Sequence, residues 1–309
     1  MKQHPVNNLK FQLLEKSFKE WLITLNYSQS AIKNYPVQIR ELFYFLETKN
    51  IFQIEQVNQQ LINEFTENLK QRANLTRGAA LSSSSINQIL QAIKKFIDYI
   101  NLTKNTHVTI EIHYQKTEVS ARDIFTSDEI KQFLNSISSE IDPVAKRDKA
   151  ILTLLYAAGL RKNELLNINT DDISFQNKTI LVRKGKNNKQ RLIPLPQVVL
   201  DVLRDYIIYC RDYFVQISKT PIEALFININ GEKMKADSFY VLLKTRLNEA
   251  DIPSLQNKHI TLHSFRHSIA THLMLAGMDI EDIAKFLGHD SLDSTMIYTH
   301  LAEQMKNAE

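Results

Sequence analysis

Apolar residues recur at helical spacing through most of this chain. Phe11, Leu14, Phe18, Trp21, Leu22 and Leu25 share one face and predict a helix ending near Asn26. Ser28 is a suitable N-cap for a second helix running to about Thr48, with Leu42, Phe43 and Phe45 inward. Pro36 falls inside that pattern, so a kink or a later start is expected. A third helix is predicted over roughly Val57 to Lys70. The polar run Ser82, Ser83, Ser84, Ser85 then caps a fourth, which carries Ile86, Ile89, Leu90, Ile93, Phe96 and Ile97.

From Leu102 to Asp123 the helical period fails. Residues 108–112 have the composition of a short strand, and 102–124 reads as an interdomain linker. Periodicity resumes near Phe125, with Thr126 or Ser127 capping a helix. A strongly apolar helix follows over about Val144 to Ala158; Gly159 suits its C′ position, and Arg161 emerges directly afterwards. Thr179 to Arg183 and Arg191 to Leu195 have strand composition and are joined by a tip rich in Gly, Asn and Lys. Phe265, Ile269, Leu273 and Ala276 mark a helix from about His263 to Ala276. On it His263 and Arg266 stand about 60° apart, Arg266 at the edge of the apolar stripe. Asp279 caps a short helix closed by Gly288, and Asp290 or Ser291 starts a last one with Tyr298 two turns in. The fold class is mainly α with a small antiparallel β-sheet in the second half.

Composition narrows the class. A chain of 309 residues accommodates two ordinary domains, and 43% hydrophobic with 23% charged residues is typical of a soluble globular protein. The longest apolar stretch, Ala150 to Leu160, is too short to span a bilayer, so no membrane partner is expected. The polar start Met1 to Pro5 lacks the apolar core of a signal peptide. A single cysteine, Cys210, excludes an internal disulfide framework and fits a reducing compartment, with the cytoplasm as default. The net charge of +4 is modest, but its excess lies early: up to Asn101 there are 12 Lys/Arg against 8 Asp/Glu, and the remainder is balanced. That bias suits a module that follows phosphates.

The candidate chemistry is carried by Arg161, Glu164, Lys186, His263, Arg266, His289 and Tyr298. A tyrosine hydroxyl, with a pKa of about 10, attacks a phosphodiester only when a base or nearby cations favour its anion. Planar guanidinium forks hold non-bridging phosphate oxygens with two hydrogen bonds each, which fits Arg161 and Arg266 as a clamp. The leaving 5′ oxygen needs a proton, and a lysine on a flexible stem, assigned as Lys186, can deliver it. His263 can accept the tyrosine proton, and His289 can donate to the phosphoryl group. Glu164, one helical turn after Arg161, can orient His263 or the guanidinium. Taken alone, Lys184, Lys186 and Lys189 would be ordinary charges guarding a hairpin edge.

The motifs together resemble the tyrosine recombinase (phage-integrase) family, in its Xer-like branch. Gly159-Leu160-Arg161-Lys162-Asn163-Glu164-Leu165 resembles the box around that family's first catalytic arginine, and residues 182–195 resemble the β-hairpin bearing its catalytic lysine. The family's Gly-Lys pattern is what singles out Lys186. His263-Ser264-Phe265-Arg266 resembles the second box, and Leu287-Gly288-His289 with Tyr298 nine residues on resembles the third. One such box is weak; all in order, with a tyrosine last, are specific. The resemblance runs from about Phe125 to Leu301.

It implies a helical core-binding domain over 1–101, a linker over 102–124 and an α+β catalytic domain over 125–309. It also implies site-specific recombination through a covalent 3′-phosphotyrosine and a Holliday junction, serving integration, excision or chromosome dimer resolution. Four protomers would assemble on double-stranded DNA bearing inverted-repeat sites, with no metal, nucleotide or other cofactor. Only Thr299 to Glu309 follow the nucleophile, a shorter tail than many relatives use to dock on a neighbour. The resemblance is expected to be to a recombinase without an arm-binding module before the first helix, not to a phage-type integrase needing distant arm sites.

Three rivals stand beside this reading. His263 and His267, four apart on one helix, have zinc-ligand spacing, but Ser264 occupies the place of a metalloprotease glutamate and no Cys pair exists. A non-catalytic DNA-binding module would explain the basic helical half but not the ordered catalytic series. A type IB topoisomerase shares the active-site residue types, though not the small helical N-terminal half.

Overall fold

The computed structural model describes residues 5–72, 80–103, 108–116, 123–137, 141–183, 190–289 and 293–306. They form two compact units, Met1–Val119 and Ser120–Glu309. Among the described residues no helix is long and apolar enough to cross a membrane.

The first unit is helical: α1 (Leu9–Thr24), α2 (Gln29–Thr48), a 3₁₀ turn (Ile54–Gln56), α3 (Gln59–Gln71) and α4 (Ser83–Thr103). Their starts follow local capping. The side chains of Asn8, Ser28 and Asn58 accept hydrogen bonds from Phe11, Ala31 and Leu61. Pro36 does not shift the start of α2, which is one helix from Gln29 through Pro36 to Thr48. The proline ring is buried in the core, and packing of Ile39, Leu42, Phe43 and Leu46 outweighs the one backbone hydrogen bond it forgoes. An aromatic cluster closes the unit, with Phe11 stacked on Phe43 at 4.5 Å and Phe18 edge-on to Phe96 at 5.3 Å.

Residues 108–116, expected to include a short strand in a linker, form no strand; they lie extended on this helical core. Val108, Ile110 and Ile112 alternate inward, as an extended chain requires. The backbone groups that a sheet would satisfy are satisfied by three side-chain amides instead. Asn101 pairs with both the N–H (2.9 Å) and C=O (3.1 Å) of Val108, Gln59 with those of Glu111 (2.8 and 3.0 Å), and Asn87 with those of Gln115 (2.7 and 2.9 Å).

The second unit contains α5 (Ser127–Ser136), α6 (Pro143–Ala157), α7 (Lys162–Leu166), β1 (Ile173–Ser174), β2 (Thr179–Val182), β3 (Arg191–Pro194), α8 (Gln197–Tyr209), α9 (Arg211–Val215), α10 (Ser238–Glu249), α11 (Pro253–Gln256), α12 (Leu262–Leu275), α13 (Ile280–Leu287) and α14 (Asp293–Lys306). The three strands form one antiparallel sheet in the order β1-β2-β3, with Ile180 opposite Ile193 and Val182 opposite Arg191. Thr126 caps α5 in a reciprocal box with Glu129. The core gathers Phe125, Phe133 and Phe265 around the apolar length of α6. A smaller apolar cluster joins Ala270 of α12, Ile283 and Leu287 of α13, and Tyr298 and Leu301 of α14. It seats the last helix on its own subunit.

Helix α12 is more deeply set than a one-sided stripe implies. Ser264, Ser268 and Thr271 are buried as well as Phe265, because small hydroxyls find partners locally. Ser268 donates to Ser264 O and accepts from Phe125 N, and Thr271 donates to His267 O.

Candidate active site

Two helix ends build the site. Helix α6 stops at Ala157 and the chain turns through Gly159 at φ +54°; α13 stops at Leu287 and turns through Gly288 at φ +66°. A Cβ on Gly159 would lie 2.8 Å from the Leu287 side chain, so the two turns meet where only glycine fits. Their carbonyls face the arginines. Arg266 donates to Gly159 O at 2.6 Å and Leu287 O at 2.8 Å, while Arg161 donates to Gly288 O at 3.1 Å. Helix C-termini carry partial negative charge, which offsets the cost of holding guanidinium groups out of water.

Arg266 is 4% exposed, and so lies inside the protein rather than at the edge of the α12 stripe. The difference arises because α12 is covered on its polar side as well. Burial, then the neighbouring Arg161 charge, lowers the Arg266 pKa to about 10, so it remains a cation at neutral pH.

Glu164 joins Arg161 to a third arginine. Its Oε1 accepts from Arg161 Nη1 (2.9 Å) and Arg191 Nη1 (3.0 Å); its Oε2 accepts from the Arg161 backbone N–H (2.9 Å) and Arg191 Nη2 (2.8 Å). The carboxylate is thus bonded to the guanidinium of Arg161, one of the two partners expected for it, and to that of Arg191. Burial alone raises the pKa of Glu164, but the Arg191 bond and charge, followed by those of Arg161, hold it below the ordinary carboxylate value. Arg191 also donates from Nε to Phe286 O at 3.0 Å. The sequence reading missed Arg191 as part of the site, because a charged residue opening an edge strand carries no signal of what it will face.

Tyr298 is 1% exposed and lies among imidazoles. Its ring is nearly parallel to that of His289 (6.1 Å, 11°) and 5.6 Å from that of His267. The His267 ring is in turn 6.5 Å from that of His263, whose residue is exposed near the start of α12. Tyr298 also lies close enough to Arg266 to favour its charged form. His289 Nδ1 is 2.8 Å from Thr295 Oγ1. Burial, then Arg266 and Arg161, lower the His289 pKa to about 4, so this histidine is neutral at physiological pH. His267 and Thr295 were not assigned roles from sequence; His267 was read only as a possible zinc ligand. Lys186 and the expected starts of α14 at Asp290 or Ser291 lie outside the described residues. Among the described residues no group of three or more His, Cys, Asp or Glu is arranged to hold a metal ion.

The structure thus brings Arg161, Glu164, Arg266, His289 and Tyr298 together, with Arg191, Thr295 and His267 added. The guanidinium groups of Arg161 and Arg191 bond one carboxylate and that of Arg266 bonds two backbone carbonyls, leaving a cationic centre beside a phenol. Such a centre favours a phosphate and the anion of the phenol.

The chain belongs to the phage integrase family. The family described as "Phage integrase family" matches residues 123–305, and "Phage integrase, N-terminal SAM-like domain" matches 16–103. The chain is 32% identical over 301 residues to the tyrosine recombinase XerC of Anoxybacillus flavithermus, covering 96% of this chain and 95% of that protein. It is 31% identical over 293 residues to tyrosine recombinase XerC of Bacillus subtilis, covering 94% and 92%. In fold it is similar to XerH site-specific recombinase bound to palindromic difH substrate in a post-cleavage complex, with a TM-score of 0.72 at 24% identity over 96% of this chain and 83% of that one. Its enzyme class is therefore that of the site-specific tyrosine recombinases, rather than a topoisomerase or a non-catalytic binding module.

Proposed function

We propose that Tyr298 is the nucleophile of DNA strand exchange and that Arg161 and Arg266 hold the scissile phosphate. The convergence of the phenol, both arginines and His289 in one subunit carries this reading. Tyr298 Oη attacks phosphorus, the bond to the 5′ oxygen breaks, and Lys186 protonates that oxygen. The tyrosine proton passes to His263. His289 donates a hydrogen bond to a phosphoryl oxygen. The protein is left joined to the 3′ phosphate, and the 5′ hydroxyl of a partner strand reverses the attack. The phosphodiester energy is kept in the phosphotyrosine, so no ATP enters.

Tyr298 is almost wholly covered as packed here, so α14 must loosen for a phosphate to reach it. The substrate is double-stranded DNA with inverted-repeat sites, four protomers act together, strands exchange in pairs through a Holliday junction, and the setting is the cytoplasm. The N-terminal helical unit, with its basic excess, is the part that grips the duplex away from the cut.

The test begins with the DNA itself. Protein covalently attached to DNA is recovered from expressing cells, and the junctions are sequenced. A nicked duplex built on that sequence then serves as substrate. Exchange between two such duplexes with a Holliday intermediate is expected. Relaxation of supercoils without exchange would refute the recombination reading.

A further inference from the structure

Arg191 has no part in the reaction just described, yet it bonds the same carboxylate that holds Arg161. It is 12% exposed by side chain, against 28% for Arg161. Its Nε, Nη1 and Nη2 all donate within the protein, to Phe286 O and to both oxygens of Glu164. A guanidinium so engaged is a poor candidate for a phosphate contact but a strong strut.

We infer that Arg191 is a positioning residue for strand cleavage, holding the Glu164 carboxylate so that Arg161 meets the phosphate at one fixed angle. The inference rests on the assignment of Arg161 as a phosphate clamp.

Three observations support it. The first is geometric. Glu164 offers each oxygen to one bond from Arg161 and one from Arg191, so the two guanidinium groups are held by the same carboxylate from different sides. Beyond Glu164, the Arg161 side chain is anchored by the Gly288 carbonyl. The second is electrostatic. The bond and charge of Arg191 do most to keep the buried Glu164 ionised, and a Glu164 that gained a proton would hold Arg161 less firmly. The third is topological. Arg191 sits opposite Val182 in the sheet, and Lys186 lies in the chain between that pair. The strand returning from the proposed acid is therefore pinned to the end of α13, one residue before Leu287, whose own carbonyl holds Arg266. One side chain thus ties the base of the lysine connection to both arginine anchors.

The packing around Arg191 leaves little tolerance. A Cβ placed on Gly288 would come within 2.8 Å of Arg191 Nη1. Glycine at that turn leaves room for the Arg191 side chain against the backbone whose carbonyl receives Arg161.

The experiment is single-turnover cleavage of the nicked duplex by the full chain, with DNA affinity and thermal midpoint measured in parallel. Arg191→Gln and Glu164→Gln are each expected to slow cleavage at saturating DNA by about a hundredfold, the usual cost of misplacing a reacting group by an ångström. DNA affinity should stay within about threefold, since neither side chain contacts phosphate. The double variant should be no slower than the slower single one, because both act through Arg161. Arg191→Gln cleaving within about threefold of wild type, or a double variant whose losses multiply, overturns the inference. Should Arg191→Gln be unfolded at the assay temperature, Arg191→Lys takes its place. It keeps the charge without the two-pronged fit, so slow cleavage at normal affinity supports the role and wild-type cleavage removes it. A wild-type protein that forms no adduct would sink the Tyr298 assignment, a result distinct from any of these.

Discussion

His289 Nδ1 lies 2.8 Å from the buried hydroxyl of Thr295. With the imidazole neutral above about pH 4, only one of its nitrogens carries hydrogen. A hydroxyl donating to Nδ1 leaves the proton on Nε2, which is then the nitrogen able to donate to a phosphoryl oxygen. Thr295→Val, of similar shape, should slow cleavage by at least about tenfold without changing DNA affinity, because a hydrogen-bond donor in the transition state has been left unoriented. Thr295→Ser should restore most of the rate. Equal rates for the Val and Ser variants would remove this role.

The same histidine shapes stability against pH. Burial, then Arg266 and Arg161, place the folded-state pKa of His289 at about 4, below the ordinary 6.5 of an imidazole; burial also lowers that of His272. The unfolded chain therefore binds protons near pH 6.5 that the folded chain binds only at lower pH. Stability from these groups is full above about pH 6.5 and is lost as pH falls towards 4. The thermal midpoint should be level between about pH 7 and 8 on their account and decline steadily below about 6.5. A midpoint that rises on acidification through that window would show the sign to be wrong.

Gly288 combines a φ of +66° with the close approach of Arg191. Gly288→Ala should cost about 1–2 kcal/mol from the left-handed backbone alone, read from urea unfolding. Cleavage should fall further than folding accounts for, because the added methyl displaces the guanidinium that braces Glu164. A variant destabilised in that range but cleaving at the wild-type rate would separate the turn from the chemistry.

Two histidines are candidates for the proposed acceptor of the tyrosine proton. His263 holds the motif position, whereas His267 has its ring 5.6 Å from that of Tyr298. The proposed role predicts that His263→Gln slows adduct formation by roughly a hundredfold or more, and that His267→Gln costs roughly tenfold or less. The opposite order would move the base one helical turn along α12.

The long helices were legible because their apolar residues repeat over several turns and their caps are local. Ser28, Thr126 and Gly159 mark real boundaries of α2, α5 and α6. Elements defined by distant partners were not. β1 is two residues long and exists only through its pairing with β2. Residues 108–112 look like a strand by composition, but the extended segment 108–116 is partnered by Asn101, Gln59 and Asn87, whose amides carry no periodic signal. Helix α8 buries Val199, Leu200, Leu203 and Tyr206, a readable spacing in a region that motif-led reading left without elements. In the site, residue types and order pointed to Arg161, Arg266, His289 and Tyr298. The depth of Arg266 and the bracing by Arg191 were hidden, since both depend on where carbonyls of other segments end up.

Trapping the protein on its own DNA tests the central assignment most directly. On the nicked duplex, the wild-type chain should form a denaturant-resistant adduct whose DNA-linked peptide contains Tyr298. Tyr298→Phe should bind the duplex with unchanged affinity and form none. An adduct of undiminished yield from the Phe variant, or one mapped to another residue, would contradict the account.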